Sequence, residues 1–179
     1  MKAIISIVIL ALLTSCGQGQ NKNGATDNLI SKTDSITMDT SSIAIIKLDS
    51  TNSWLIKNSK PSDLTIQELA EIEKIIERCL SDYNIEQKKQ FEQLKSENPD
   101  YDFKVEHFVI EFSRYRRQYI PTINSKGEKE VWINCFCRTY DRDWRKELII
   151  VEDGGNCYFN LKVNLTTNKC FDLMVNGNA

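Results

Sequence analysis

Two periodicities divide the chain. From Leu69 onwards apolar residues return every three to four positions, at Ile72, Ile76, Cys79 or Leu80, and Tyr83, while Glu71, Glu73, Lys74, Glu77 and Arg78 fill the other faces. That spacing predicts one amphipathic helix of about twenty residues, opened by Pro61-Ser62-Asp63 and by a capping box formed by Thr65 and Glu68. Glu86 to Glu97 is highly charged with only Phe91 and Leu94 as large apolar residues, which predicts a second, more exposed helix ended by Asn98-Pro99.

After Phe103 the period shortens to two. Phe108 to Phe112 leads into Arg114 to Tyr119, the turn Asn124-Ser125-Lys126-Gly127 follows, and Val131 to Cys137 returns, which predicts a hairpin. Leu148 to Val151 has strand character as well, broken by Asp153-Gly154-Gly155, a tight turn or bulge without the residues of a phosphate or calcium loop. Cys157, Phe159, Leu161, Val163 and Leu165 then alternate with Tyr158, Asn160, Lys162 and Asn164, and the polar alternates predict a sheet with one wet face. A last strand covers Cys170 to Val175. Upstream, Ile43 to Leu48, the turn residues Asp49 to Asn52, and Trp54 to Ile56 predict a small hairpin. The fold class expected is α+β: an N-terminal amphipathic helix packed on a four- to five-stranded antiparallel meander.

The first residues follow neither period. Met1-Lys2 is a brief positive start, Ala3 to Leu13 is almost wholly apolar, and Leu13-Thr14-Ser15-Cys16 closes the run. Eleven or so apolar residues fall short of the roughly twenty that a membrane-spanning helix needs, so the pattern is that of an export signal. Those four residues resemble the lipobox of bacterial lipoproteins. The resemblance implies that residues 1–15 are a signal peptide, that Cys16 is acylated, and that the acyl chains are the membrane anchor, since two or more chains suffice for stable attachment. Gly17 to Ser42 is rich in Gly, Gln, Asn, Ser and Thr and reads as a tether, 16–42, with a reach on the order of 25–30 Å. By the same resemblance, the lack of acids in Gly17-Gln18-Gly19-Gln20 implies a periplasm-facing location. Residues 43–179 are left for a single domain. Its order of elements resembles cystatin-like and NTF2-like folds, and the stretches Val131–Cys137 and Asp153–Phe159 resemble lipoproteins of the Bacteroidota, a likeness that implies no activity.

Charge and chemistry narrow the function classes. Removal of residues 1–15 takes away Lys2 and no acid, so the net charge moves from −2 to about −3. That mild charge gives no pull towards nucleic acid, which an exported, lipid-anchored domain is not expected to meet. Beyond Cys16 there are Cys79, Cys135, Cys137, Cys157 and Cys170, so at most two intramolecular disulfides form and at least one thiol is left. A domain of this size can build its core without crosslinks, and buried thiols are the first expectation, with one disulfide as the alternative. Cys135-Phe136-Cys137 lacks the partners of a zinc site, His107 is the sole histidine, and neither a metal, a cofactor nor a complete catalytic set is expected.

The densest chemistry lies in Arg114, Tyr115, Arg116, Arg117, Tyr119, Arg138 and Trp144, extended by Tyr140, Arg142, Arg145 and Lys146. Guanidinium forks suit carboxylate, sulfate or phosphate, and the rings suit sugar faces. The plainer alternative is a solvated face in which these arginines pair with Glu111, Glu128, Asp141 and Asp143. The expectation is a non-enzymatic, lipid-anchored domain that binds a protein or a small anionic ligand. A small periplasmic hydrolase with a cysteine or carboxylate site and a structural envelope component are the alternatives.

Overall fold

The computed structural model of the chain describes residues 38–177, which belong to one compact unit. The signal segment 1–15, Cys16 and the tether as far as residue 37 lie outside the described residues. The elements in order are β1 (Ile43–Ile45), β2 (Lys60–Pro61), α1 (Ile66–Glu97), β3 (Arg116–Ile123), β4 (Lys129–Phe136), β5 (Tyr158–Asn164) and β6 (Lys169–Val175). The architecture is α+β, a long helix on a mostly antiparallel open sheet of order β1-β3-β4-β5-β6, with β2 also paired to β3. No helix among the described residues is long and apolar enough to cross a membrane.

The two helices expected between Thr65 and Glu97 are one. The capping box forms as expected: Thr65 Oγ1 accepts from Glu68 N, and Glu68 Oε2 accepts from Thr65 N at 2.8 Å. The apolar stripe thins after Tyr83, but no Gly or Pro interrupts residues 66–97, so nothing stops the helix before Asn98-Pro99. At 32 residues α1 is about 48 Å long, against roughly 27 Å for an eight-residue strand. Its C-terminal turns therefore overhang the sheet, and Phe91 packs there against Phe108 instead.

Leu69, Ile72, Ile75, Ile76 and Leu80 of the helix pack on Tyr119, Val131, Ile133, Cys135, Phe159, Leu161 and Val163, which are alternate residues of β3, β4 and β5. Full burial of each such aliphatic side chain contributes about 1.5–3 kcal/mol. The meander β3-β4-β5-β6 is the expected one, with Asn124 and Gly127 (φ 80°) forming the β3–β4 turn. β6 departs from simple alternation at Asp172, which has φ 53° and sits in a register shift opposite Asn160–Lys162. This bulge puts Phe171 and Asp172 successively on the outer face, so that Cys170 before it and Leu173 and Val175 after it all face the helix.

Three expected strands do not form; at 54–56 the backbone bonds within local turns, and at 108–112 and 148–151 side chains take the backbone groups that a ladder would need. In place of a hairpin, β1 pairs in parallel with β3, while Trp54 to Ile56 are turns in a flap between β1 and β2. Asn52, 2% exposed, holds the flap by accepting from Asp49 N and donating to Lys47 O. Residues 108–112 are irregular because Asn84 of α1 donates to Ile110 O and accepts from Ile110 N, both at 2.8 Å. Residues 148–151 are irregular because Ile149 N donates to Gln118 Oε1 and Ile149 O accepts from Asn134 Nδ2. Ordered structure also begins before Ile43: Met38 packs against the helix-side core, and Ser42 O accepts from Arg117 N at 2.8 Å.

The cysteines correct the expectation of buried thiols. Cys79 of α1 is bonded to Cys170 of β6, 91 residues away, and Cys137 to Cys157 across 20 residues; among the described residues Cys135 alone is free, and it is buried. Chain-entropy arithmetic assigns closures of this length on the order of 3–5 kcal/mol each. The double variant Cys79→Ala/Cys170→Ala is expected to lose about 4 kcal/mol in urea denaturation under oxidising conditions; a loss below about 1 kcal/mol would show that the helix is seated on β6 by packing alone.

Candidate functional site

The face of the sheet turned away from α1 is not the wet surface that the alternation in β5 predicts. Tyr158 and Asn164 are buried there, and Asn160 and Lys162 half-buried. Two irregular segments cover it. The flap 46–59 lays Ile46 and Leu48 on Ile120 and Trp132, and the loop between β4 and β5 lays Ile149 on Phe136 and Tyr158.

The loop is fixed by one side chain. Gln118, fully buried, donates from Nε2 to Trp144 O and Glu147 O, both at 2.6 Å, and accepts at Oε1 from Ile149 N and Asn134 Nδ2, both at 3.1 Å. Both donors and both lone pairs of the amide are thus used. The Cys137–Cys157 disulfide ties the loop ends, and Asn176 Nδ2 holds Val151 O and Asp153 O at 2.7 and 2.8 Å. Gly154 lies in the loop at φ 87°, and a Cβ there would meet the Tyr158 ring at 2.8 Å, so glycine is required on both counts.

Between flap, loop and β6 lies a groove of about 480 Å³, within the range of small-molecule sites. Asn134, Asn160 and Met174, neighbours in register on β4, β5 and β6, form its floor and continue the row that begins at buried Gln118 on β3. Gln118 and Asn134 hold the loop, whereas Asn160 opens into the groove and makes no side-chain hydrogen bond among the described residues. Lys162 Nζ and Asp172 Oδ2, 3.0 Å apart, close one end. Trp54, Ile150 and Met174, 61%, 41% and 64% exposed, form an apolar rim.

The basic-aromatic residues singled out in the sequence do not converge on this groove. Alternation sends Tyr115, Arg117 and Tyr119 to the helix side, and Arg116 to the outer side. Arg117 meets Glu73 of α1 at 3.2 Å and donates to Ser42 Oγ and Tyr115 O, while the Tyr119 hydroxyl donates to Glu73 Oε1. Burial pushes the Glu73 carboxyl above its ordinary range, against the pull of Tyr119 and Arg117, and burial pushes the Tyr119 hydroxyl and Cys135 thiol well up. A raised thiol is the reverse of what a nucleophilic cysteine needs. Arg116 and Arg145 lie over the Trp144 ring at 5.8 and 4.3 Å, and Arg145 Nη1 donates to Ile43 O. Arg114 and Arg138 do come together with Tyr115, lining a cavity of about 330 Å³ with His107 and Asn156 at the overhanging end of the fold; Arg114 is 3.6 Å from Glu111.

No family model matches the chain, and no curated protein or solved structure is detectably similar to it.

The residues that sequence reasoning missed are Trp54, Asn134, Asn160, Lys162, Asp172 and Met174. The signal for three of them was present: Asn134 interrupts the apolar run Val131–Cys137, and Asn160 and Lys162 are the polar alternates of β5. The covering flap and loop carry no periodicity, so nothing marked that face as more than solvated.

Two outcomes test this construction. Gln118→Leu strips partners from three backbone groups of the loop, the buried Ile149 N among them, and should cost about 2 kcal/mol or more; hydrogen exchange should then accelerate in 138–151 before the strands, and uniform acceleration would mean that the loop is not held through Gln118. Arg117→Met leaves Glu73 buried without its cation, which should cost about 3–5 kcal/mol at pH 7. Because the Glu73 pKa is already raised and rises further without Arg117, protonation relieves that loss as pH falls. Urea denaturation at pH 7 and pH 5 should show the difference from wild type shrinking, and a difference independent of pH would contradict the pairing.

Proposed function

We propose that the chain is a lipid-anchored, exported binding domain that presents its outer-face groove to a small ligand on the periplasmic side of a membrane. The observation that carries the binding assignment is the groove itself, where polar groups without partners among the described residues sit inside an exposed apolar rim. Export is supported by the lipobox-like Leu13-Thr14-Ser15-Cys16 and by two disulfides, which persist in oxidising compartments. Anchoring rests on acyl chains at Cys16, with the segment after it as tether. The order of one helix and then an antiparallel meander supports a cystatin-like or NTF2-like arrangement, from which the parallel edge strand β1 departs.

A second reading keeps the anionic ligand expected from the arginines and seats it between Arg114 and Arg138, supported by their meeting in one cavity. The two sites predict different sensitivities. In membrane fractionation, Cys16→Ser is expected to move the protein from the membrane to the soluble fraction, and unchanged sedimentation would remove the lipid anchor. In a thermal-shift screen against small molecules, ligands that stabilise the wild type should lose their effect in Met174→Glu and keep it in Arg114→Ala/Arg138→Ala; the opposite pattern would transfer the function to the arginine cavity.

A further inference from the structure

We infer that the outer-face groove is a subsite for a neutral polyhydroxylated ligand, a pyranose ring or short neutral oligosaccharide, stacked on Trp54 and hydrogen-bonded by Asn134, Asn160, Lys162 and Asp172. This rests on the groove being the binding site, and it adds the ligand's chemistry.

The polarity of the floor is fixed by its own hydrogen bonds. Asn134 Nδ2 donates to Ile149 O at 2.7 Å and to Gln118 Oε1 at 3.1 Å, so the amide cannot be turned, and its Oδ1 is left as an acceptor in a residue only 7% exposed. Asn160, beside it in register on β5, offers both an acceptor and two donors. Lys162 and Asp172 bond to each other through one oxygen, which leaves ammonium protons and the second carboxylate oxygen for a ligand. The bulge at Asp172 is what brings that carboxylate to the outer face, in a left-handed backbone conformation that aspartate adopts more readily than most side chains.

Charge and desolvation then select among ligand classes. Lys162 and Asp172 carry opposite charges and the groove holds no other ionised side chain, so its formal charge is zero. An anion would meet the Asp172 carboxylate with no unpaired cation to offset it, and a cation would meet Lys162 in the same way. A wholly apolar ligand would cover the Asn134 carbonyl and the Asn160 amide without bonding them, leaving both desolvated and unpaired. A sugar ring satisfies both requirements: its C–H face lies on the indole of Trp54, and its hydroxyl edge both donates and accepts. Trp54 is 61% exposed, so its ring face is available without rearrangement of the core.

The experiment is titration calorimetry on the full-length protein, in whichever fraction it is recovered, against maltotriose, cellotriose, chitotriose and mannotriose, with 1-octanol as apolar probe and inorganic phosphate as anionic probe. At least one neutral trisaccharide is expected to bind. Trp54→Ala and Asn160→Ala, both at positions that support no core packing, are each expected to weaken it roughly tenfold, and Arg114→Ala/Arg138→Ala to leave it unchanged. Binding of octanol but of no trisaccharide, lost in Met174→Glu, would overturn the saccharide assignment while leaving the groove as the binding site. Absence of any binding sensitive to Trp54 or Met174 would overturn both.

Discussion

The side-chain amide of Gln118 is the contact on which the outer half of the molecule depends. A sheet with one face on a helix needs nothing on its other face. Here that face carries Ile120, Trp132, Phe136 and Tyr158, and it is closed by segments with no ladder of their own. Such segments are held only if their backbone groups find partners. Gln118 provides three of these to the loop after β4 and a fourth bond to Asn134, and from Asn134 the same register leads to the unengaged Asn160. Cover and groove are therefore consequences of one row of amides: where the row is spent on backbone the face is closed, and where it is not the face is open.

The same device recurs elsewhere in the fold. Asn84 clips Ile110, Asn156 donates to Glu106 O and Val109 O, and Asn176 holds the end of the β4–β5 loop. This explains which parts of the fold were legible in the sequence. Hydrophobic period tells where a backbone could enter a ladder, and it located α1 and the meander β3 to β6 because their backbone groups do pair locally or with neighbouring strands. It misplaced strands at 108–112 and 148–151, which have every local mark of one, because side chains 26 and 31 positions away take the N–H groups first. A competition of that range leaves no mark in a window of a dozen residues. The single long helix is the converse case: its outer turns lack an apolar stripe, but no breaker opposes propagation once the first turns are capped and packed.

The candidate site was not legible in the residues that stand out in the sequence. The rings and guanidinium groups between Arg114 and Trp144 are the densest functional-looking set, and strand alternation divides them between two faces. Arg117 and Tyr119 are drawn under the helix by Glu73, where an ion pair and a phenol hydrogen bond occupy what would otherwise be apolar volume. Replacement of such a pair by well-packed aliphatics is often neutral or better for stability. Its position here has a geometric effect: Arg117 reaches from β3 to Ser42 at the start of the described chain and to Glu73 on α1, so it fixes the entry of the N-terminal segment against the helix.

That entry point bears on how the groove would be presented. The described chain enters the domain at the β1 edge, where Arg117 donates to Ser42 Oγ and Arg145 to Ile43 O. The groove lies across β4, β5 and β6, towards the opposite edge of the same sheet. The N-terminal entry and the groove therefore lie towards opposite edges of one sheet. The Cys79–Cys170 disulfide ties the edge that bears the groove to the helix, whereas the β1 edge is held by its parallel pairing with β3, by burial of Ile43 and by the polar contacts of Arg117 and Arg145. The covalent tie thus lies at the edge whose amides and carboxylate line the groove and must keep their positions for a ligand.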